Sequence, residues 1–246
     1  MNDRLHGPRR VLVTGSTHGI GFALSSYLLA RGVQVYGCAR TPGDPKIAQL
    51  EARFPGAYHH TIADVSNEDQ VRTLLDWCCA EGPLDAVVNC AGIGCKPAPI
   101  HLLNPADARQ VLAVNLLGTA YCMKHALLHM KAPGGTIINC GSVAGKRPGT
   151  GADWSYSASK AGVEALTREA AHSGLYPEVY FVLLNLGFIE TRMTAADDKS
   201  RLPDWLPQGR WGRPEEVAQG IWQLLTHPKP GKLEEYSMIG GGFYDL

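Results

Sequence analysis

The chain has 246 residues, and its 23 Lys+Arg balance 23 Asp+Glu, which leaves no broad electrostatic footprint for nucleic acid or an anionic membrane. That length suits one large α/β domain or two small ones and can bury a sizeable core. Met1 to Arg10 is polar and basic with no apolar core behind it, unlike a secretory signal, and no apolar run approaches the ~20 residues that span a bilayer, so a soluble, cytoplasmic protein is expected.

Arg9 to Thr14 carries Val11, Leu12 and Val13, a short continuous apolar run that suits a strand buried on both faces. Thr14-Gly15-Ser16-Thr17-His18-Gly19-Ile20-Gly21 follows, then Phe22, Ala23, Leu24, Tyr27, Leu28 and Leu29 at helical spacing. Strand, glycine turn and helix are the context of a dinucleotide-binding fingerprint. Glycines there permit the tight turn and let backbone N–H groups approach a pyrophosphate at the positive end of the helix. The spacing is Gly-x3-Gly-x-Gly rather than Gly-x-Gly-x2-Gly.

After Gly32, Val33 to Cys38 reads as a second strand. Where an acid would accept hydrogen bonds from the adenosine ribose of NAD, the chain has Ala39 and then Arg40. A guanidinium grips a 2′-phosphate with charge-assisted bonds and an acid repels it, so NADP(H) is the expected cofactor. A helix near Lys46 to Arg53 and a strand near Tyr58 to Ile62 lead to Ala63-Asp64-Val65. Ser66-Asn67-Glu68-Asp69 has capping character before a helix with Val71, Leu74 and Leu75.

Leu84 to Asn89 is a fourth strand, running into Cys90-Ala91-Gly92-Ile93-Gly94, and a long helical pattern with Asn115 spans about Pro105 to Met130. Gly135 to Asn139 is a fifth strand leading to Cys140-Gly141-Ser142, and Val179 to Leu186 a sixth. Pro214 suits the first turn of a last helix, with a final strand at Tyr236 to Ile239. Alternating strand and helix implies a Rossmann-like, doubly wound parallel sheet with helices on both faces, in one domain over 1–246. Ligands of such sheets bind beyond the carboxyl ends of the strands, where Gly15, Arg40, Asp64, Asn89, Ser142 and Gly187 gather.

Seven cysteines, Cys38, Cys78, Cys79, Cys90, Cys95, Cys122 and Cys140, form an odd set with no C-x-x-C pair, so neither disulfides nor a metal are expected. Cys38, Cys90 and Cys140 close apolar β-like runs, where a small buried hydrophobe fits. His125 and His129 stand four apart but lack a third ligand and read as a packed or interface pair.

Tyr156-Ser157-Ala158-Ser159-Lys160 places a phenol and an ammonium four residues apart, on one face if the segment is helical. A phenol with a reference pKa of about 10 is a poor base alone. A cation within ~4–6 Å favours the phenolate and brings the group toward efficient proton transfer. Such a pair can exchange a proton with a hydroxyl-bearing carbon that exchanges hydride.

Thr14-Gly15-x3-Gly19-x-Gly21, Asp64, Asn89-x-Ala91-Gly92, Asn115, Ser142, Tyr156-x3-Lys160, Gly187 with Thr191, and a glycine cluster near the C-terminus together resemble the short-chain dehydrogenase/reductase family over nearly the whole chain. The resemblance implies that Tyr156 is the general acid/base and that Lys160 lowers its pKa and binds the nicotinamide ribose. It implies that Ser142 hydrogen-bonds the substrate carbonyl, and that Asn115 kinks its helix and holds a water in a proton relay to Lys160. Ser155, Ser157 and Ser159 are read as ordinary exposed serines.

For the cofactor, the resemblance implies a cradle of Gly15, Ser16, Thr17, His18, Gly19, Ile20 and Gly21, with His18 at most a helper to Arg40. Asp64 and Val65 would flank the adenine and Asn89 would shape the adenosine pocket. Ala91, Gly92, Gly187 and Ile189 would border the cofactor, and Thr191 would contact the carboxamide. Three departures stand out. Cys90 replaces the second asparagine of Asn-Asn-Ala-Gly, Leu186 stands where proline usually precedes Gly187, and His172 to Pro177 differs from the common pattern. Leu186 implies a backbone less fixed at the nicotinamide.

Thr191 to Trp211, in a region of about 190–212, reads as a substrate lid, with Trp205 and Trp211 either walling a pocket or packing on the domain. Lys96, Arg147, Arg192 and Arg201 hint at an anionic substrate group. The expected function is an NADPH-dependent carbonyl reductase, or in reverse an alcohol dehydrogenase, acting on a small carbonyl or alcohol substrate. The family resemblance implies a homotetramer or homodimer. An NAD-dependent hydroxyl dehydrogenase and a dinucleotide binder without turnover are the rival readings.

Overall fold

The computed structural model describes residues 7–130, 132, 134–195, 209–227 and 233–244. Its first half runs β1 (Arg10–Thr14), α1 (Gly19–Leu29), β2 (Gln34–Ala39), α2 (Pro45–Arg53), β3 (Tyr58–Ile62), α3 (Glu68–Cys79) and β4 (Ala86–Asn89). There follow α4 (Pro105–Leu112), a π-helical turn at Ala113–Leu117, α5 (Gly118–Met130), β5 (Gly135–Ser142), α6 (Trp154–His172) and β6 (Val179–Leu186). α7 (Pro214–Thr226), β7 (Leu233–Ile239) and β8 (Gly242–Tyr244) complete the order.

Strands apolar at successive positions need cover on both faces. Here Val11, Val13, Val35, Val88 and Ile138 share one core with α1 and α7, while Leu12, Tyr36, Val87 and Ile137 share another with α3 and α5. Both layers rest on an eight-stranded sheet ordered β3-β2-β1-β4-β5-β6-β7-β8, parallel except for β8. The Rossmann-like doubly wound sheet is therefore as expected. The chain leaves β1 toward β2 and returns at β4, which opens a crevice at the carboxyl ends of β1 and β4, where Thr14 pairs with Asn89.

Capping follows the residue types present. Asp44, Asn67, Asn104 and Asp153 each accept backbone N–H groups at the starts of α2, α3, α4 and α6. The helical run Pro105–Met130 has the length and hydropathy of a membrane span, but 56 % of its most apolar window is buried in protein. His125 and His129 face α3, with Nε2 atoms 3.4 Å from Glu68 and 3.1 Å from Asp76, a packed pair.

Three expectations need correction. β5 continues beyond Asn139 to Ser142 because β6 pairs with it through Leu186. The final strand starts at Leu233 and is followed by the short antiparallel β8. Leu186 does not loosen the backbone, since it pairs with Ser142 on one side and Met238 on the other, and the next N–H, of Gly187, donates to Met238 O at 2.9 Å.

Candidate active site

Close backbone approach builds the first wall. Gly15 (φ +69°) and Gly19 (φ +51°) adopt left-handed conformations that favour glycine. A Cβ on Gly15 would stand 3.0 Å from Ala91 Cα, and one on Gly21 would stand 2.3 Å from Gly15 O. The turn is pinned by Gly15 N–H and Ser16 N–H donating to Cys38 O at 2.9 and 3.2 Å. α1 starts with no acidic residue in its first turn, so no carboxylate of that turn answers its positive end.

Ser16 Oγ turns inward to Tyr58 Oη at 3.0 Å, and burial pushes the Tyr58 phenol up to about 12. Only backbone from Ser16 faces the turn. Thr17 Oγ1 lies 3.0 Å from His18 Nδ1, which is 3.5 Å from Asp44 Oδ2. Ile20 packs against the α1–α7 core. Arg40 follows β2 and is exposed, with no partner among the described residues. Asp64 Oδ1 accepts from Ser66 N and Oγ at 2.9 and 2.7 Å, and Val65 is buried against Gly118.

Asn89 is 4 % exposed and donates to Asn139 Oδ1 at 2.8 Å, while its own Oδ1 is buried without a partner among the described residues. Ala91 N–H donates to Thr14 Oγ1 at 3.1 Å. A Cβ on Gly92 would sit 3.4 Å from Asn115 Oδ1 and 3.8 Å from Lys160 Nζ. The fingerprint, the strand β4 exit and the lysine therefore converge on one edge of the sheet.

The phenol and ammonium do share a face of α6. Lys160 Nζ lies 5.6 Å from the Tyr156 ring centroid and donates to Cys140 O at 2.8 Å. Tyr156 is half-buried and Lys160 only 7 % exposed. Ser142, at the end of β5, donates from Oγ to Leu186 O at 3.3 Å and accepts from Ala144 N–H at 3.2 Å. Asn115 lies in the π-turn, a form that often marks functional bends. Its Oδ1 accepts from Ile93 N–H at 2.8 Å, and its Nδ2 donates to Ile93 O and Ser159 Oγ at 2.9 and 3.1 Å.

Ser155 and Ser159 are not exposed serines. Both are fully buried, because on α6 they flank Tyr156 toward the protein interior. Ser159 Oγ donates to Tyr156 O at 2.7 Å, and Ser155 Oγ donates to Asp153. Asp153 accepts the N–H groups of Ser155 and Tyr156 at 2.8 and 3.4 Å. It lies outside the motif residues, and its sequence signal is local: an aspartate just before a helix is an N-cap. Ser155 Oγ also meets Cys95 Sγ at 3.5 Å, tying the loop after β4 to the head of α6.

At the far wall, Ile189 forms a bridge with Gly212. Thr191 N–H donates to Thr194 Oγ1 at 3.0 Å, and Thr191 Cγ2 lies 3.3 Å from a Cβ placed on Gly19. The expected lid is described only at its ends, 191–195 and 209–211; Trp205 and Arg201 lie outside the described residues. Trp211 packs on the protein, 6 % exposed, with its ring 5.4 Å from Phe188. Among the described residues no group of three or more His, Cys, Asp or Glu could hold a metal.

This arrangement brings a glycine turn together with a phenol, an ammonium and a hydroxyl at one sheet edge. The family model described as short chain dehydrogenase matches residues 9–202. The chain is 39 % identical over 243 residues to a cis-4-hydroxycyclohexanecarboxylate dehydrogenase of Sinomonas cyclohexanicum, covering 96 % of each. It is 36 % identical to carbonyl reductase family member 4 of Danio rerio, over 89 % of this chain and 92 % of that one. A gluconate 5-dehydrogenase from Burkholderia cenocepacia J2315, solved with NADP and tartrate, superposes with a TM-score of 0.82 at 31 % identity, over 95 % and 94 % of the two chains. By fold, site geometry and sequence, the chain belongs to the short-chain dehydrogenase family, nicotinamide-dependent oxidoreductases of hydroxyl and carbonyl groups.

Proposed function

We propose that the protein is an NADP(H)-dependent carbonyl reductase, acting in reverse as an alcohol dehydrogenase. The observation that carries this reading is the placement of Tyr156 and Lys160 on one face of α6, 5.6 Å between ammonium and ring, at the carboxyl edge of the sheet beside Ser142. A bound nicotinamide would supply or accept the hydride. Tyr156 gives the proton to the nascent alkoxide, or takes it from the alcohol. Lys160 places a positive charge beside that phenol and a donor toward the nicotinamide ribose. Ser142 hydrogen-bonds the carbonyl oxygen and polarises it, and Asn115 holds the Ile93 backbone beside Lys160.

The residues fit a dinucleotide. Gly15, Gly19 and Gly21 leave backbone room, and the acid-free N-terminus of α1 suits a pyrophosphate. The orphaned Asn89 Oδ1 offers an acceptor at the adenosine end. Asp64 and Val65 border the adenine, and Ala91, Gly92, Gly187, Ile189 and Thr191 border the nicotinamide half. Arg40 selects the 2′-phosphate, consistent with the NADP-bound relative.

The substrate is a small ketone or secondary alcohol with an anionic group. The named substrate of the Sinomonas relative is a cyclic hydroxy acid, and Lys96, Arg147 and Arg192 are exposed in loops at this end of the sheet. The protein works as a homodimer or homotetramer, since Leu117 and Leu128 are 45 % and 72 % exposed on the 105–130 run; sedimentation reads that state. The direct test is a panel of 4-oxocyclohexanecarboxylate, simple cyclic ketones and a 3-oxoacyl thioester, followed by NADPH absorbance with NADH in parallel. Tyr156→Phe should lose turnover and keep NADPH binding; equal turnover in both proteins would sink the assignment.

A further inference from the structure

Two thiols meet at the floor of the site. Cys90 is the first residue beyond β4 and Cys140 lies in β5, one step past the paired Asn89 and Asn139, and their sulfur atoms are 3.7 Å apart. The same Cys140 supplies the carbonyl oxygen that fixes the Lys160 ammonium at 2.8 Å. Both are free thiols. Neighbouring strands lie about 4.8 Å apart, inside the ~4.4–6.8 Å range over which two Cα atoms are bridged by a disulfide.

The pair differs from the other buried cysteines. Cys38, Cys78 and Cys122 sit in the opposite core, and burial pushes their thiols up, Cys38 to about 12. Such sulfurs carry no thiolate to react. At the pair, the sulfur–sulfur hydrogen bond, in which either sulfur could be the donor, and the Lys160 charge outweigh burial and hold Cys140 below its ordinary value, while the same bond and burial raise Cys90. Cys90 is only partly buried, which opens the pair to a small oxidant.

We propose that Cys90 and Cys140 form an oxidisable dithiol that closes to a disulfide under peroxide and, by shifting the Cys140 carbonyl, unseats Lys160 and stops turnover. The Cys140 thiolate attacks one oxygen of hydrogen peroxide; the O–O bond breaks, leaving Cys140 as a sulfenic acid and the other oxygen as hydroxide. The Cys90 sulfur attacks the sulfenic sulfur, the S–S bond forms, and hydroxide departs. The proton that Cys90 loses and one from solvent turn the two hydroxides into two waters. Two sulfurs together give up two electrons, and the peroxide takes both. A dithiol reductant reverses the step by exchange.

The geometry explains the loss of function. Sulfurs 3.7 Å apart must close to about 2.05 Å. The β4–β5 pairing ends at Asn89 and Asn139, and Cys140 pairs only with Leu184 of β6, so the ladder does not hold the Cys90 and Cys140 peptides apart. Closing the bridge draws in the Cys140 peptide, from whose carbonyl Lys160 hangs.

The inference rests on the proposed role of Lys160, and one experiment keeps the two apart. The full chain is treated with hydrogen peroxide, alkylated, digested without reduction and weighed, with carbonyl turnover followed in parallel. The expected result is a Cys90–Cys140 peptide pair two hydrogens lighter than its separate thiol peptides. Turnover should fall about 100-fold, the low end of what losing positioned proton transfer costs, and return with dithiothreitol. Cys90→Ser should keep its own starting activity through the treatment. Cys95→Ser should stay as sensitive as the unaltered chain, which removes Cys95 as the target. No bridged peptide, a bridge that leaves turnover intact, or equal loss in Cys90→Ser would overturn the proposal. A chain with no turnover before treatment would count against the proposed function, and absence of the bridged peptide in that chain would still overturn the dithiol.

Discussion

Lys160 is held from below and faces Tyr156 from the side: its Nζ donates to Cys140 O at 2.8 Å and lies 5.6 Å from the Tyr156 ring centroid. A cation only 7 % exposed needs acceptors, since a buried unpaired charge costs several kcal/mol. Hanging it from a β5 carbonyl ties the ammonium of this α6 residue to the sheet, while the phenol stands one turn earlier on the same helix. Sheet and helix must both be in place before the pair can act.

Lys160→Met keeps the length of the side chain and removes the charge. Turnover should fall about 100- to 10,000-fold, as expected for a positioned proton-transfer group. The Cys140 carbonyl loses its donor, so stability should drop by about 1–3 kcal/mol. Single-turnover kinetics and urea unfolding read the two effects separately, and an unchanged single-turnover rate would remove Lys160 from the chemistry.

Much of this was legible in the sequence, because the sheet's strands are buried on both faces and announce themselves as apolar runs. The apolar run Val179–Leu186 coincides with β6, where every residue but Tyr180 is buried. The pattern ends β5 at Asn139 because Gly141 and Ser142 look like loop. They are strand because β6 pairs with them through Asn185 and Leu186, and polar Asn139 before them is satisfied by Asn89 and Thr167 at 2.8 and 2.9 Å. Ser155 and Ser159 escape the pattern for a related reason: polarity suggests water, while the helix turns them inward toward Asp153 and Asn115. Local pattern sees hydrophobic burial and is blind to hydrogen bonds made across the fold.

Arg40→Asp should reverse the cofactor preference. Charge-assisted hydrogen bonds contribute about 1.5–3 kcal/mol each, so the KM for NADPH should rise by about tenfold to 100-fold while that for NADH changes little or falls. Salt is a useful control, because the Arg40 contribution at an exposed position should weaken as ionic strength rises. If the NADPH to NADH ratio stays put, Arg40 is an ordinary solvated arginine and the NAD-dependent reading gains.

Asn115→Ala deletes three hydrogen bonds at once, two to the Ile93 backbone and one to Ser159. Asn115 is fully buried, so unfilled partners are not rescued by water, and about 2–4 kcal/mol of stability should go. Turnover should fall as well, because Ile93 and Gly92 line the space beside Lys160. Asn115→Asp offers the accepting oxygen without the donors and should recover only part of the stability. Urea midpoints of the three proteins rank the contributions; equal midpoints for Ala and wild type would mean the loop after β4 is held by something else.

Asp153 gives the clearest pH signature. Its carboxylate caps α6 from a position 5 % exposed. Burial acts to raise its pKa, but hydrogen bonds from Ser155 Oγ, the Cys95 thiol and the N–H groups of Ser155 and Tyr156 outweigh it and hold the carboxyl below its ordinary value. A depressed acid adds stability that is fully present above its unfolded value of about 3.9 and is lost as pH falls through the folded value. Asp153→Asn keeps an accepting oxygen but cannot ionise. The gap in unfolding free energy between wild type and Asp153→Asn should therefore be constant above about pH 5 and shrink as the solution is acidified. Asp153→Ala should lose a further ~1 kcal/mol of capping. Since Tyr156 N–H is among the capped groups, kcat should fall in Asp153→Ala more than KM rises. A wild-type minus Asp153→Asn gap that stays flat from neutral pH down through the carboxylate range would show that this group's ionisation is not coupled to the fold.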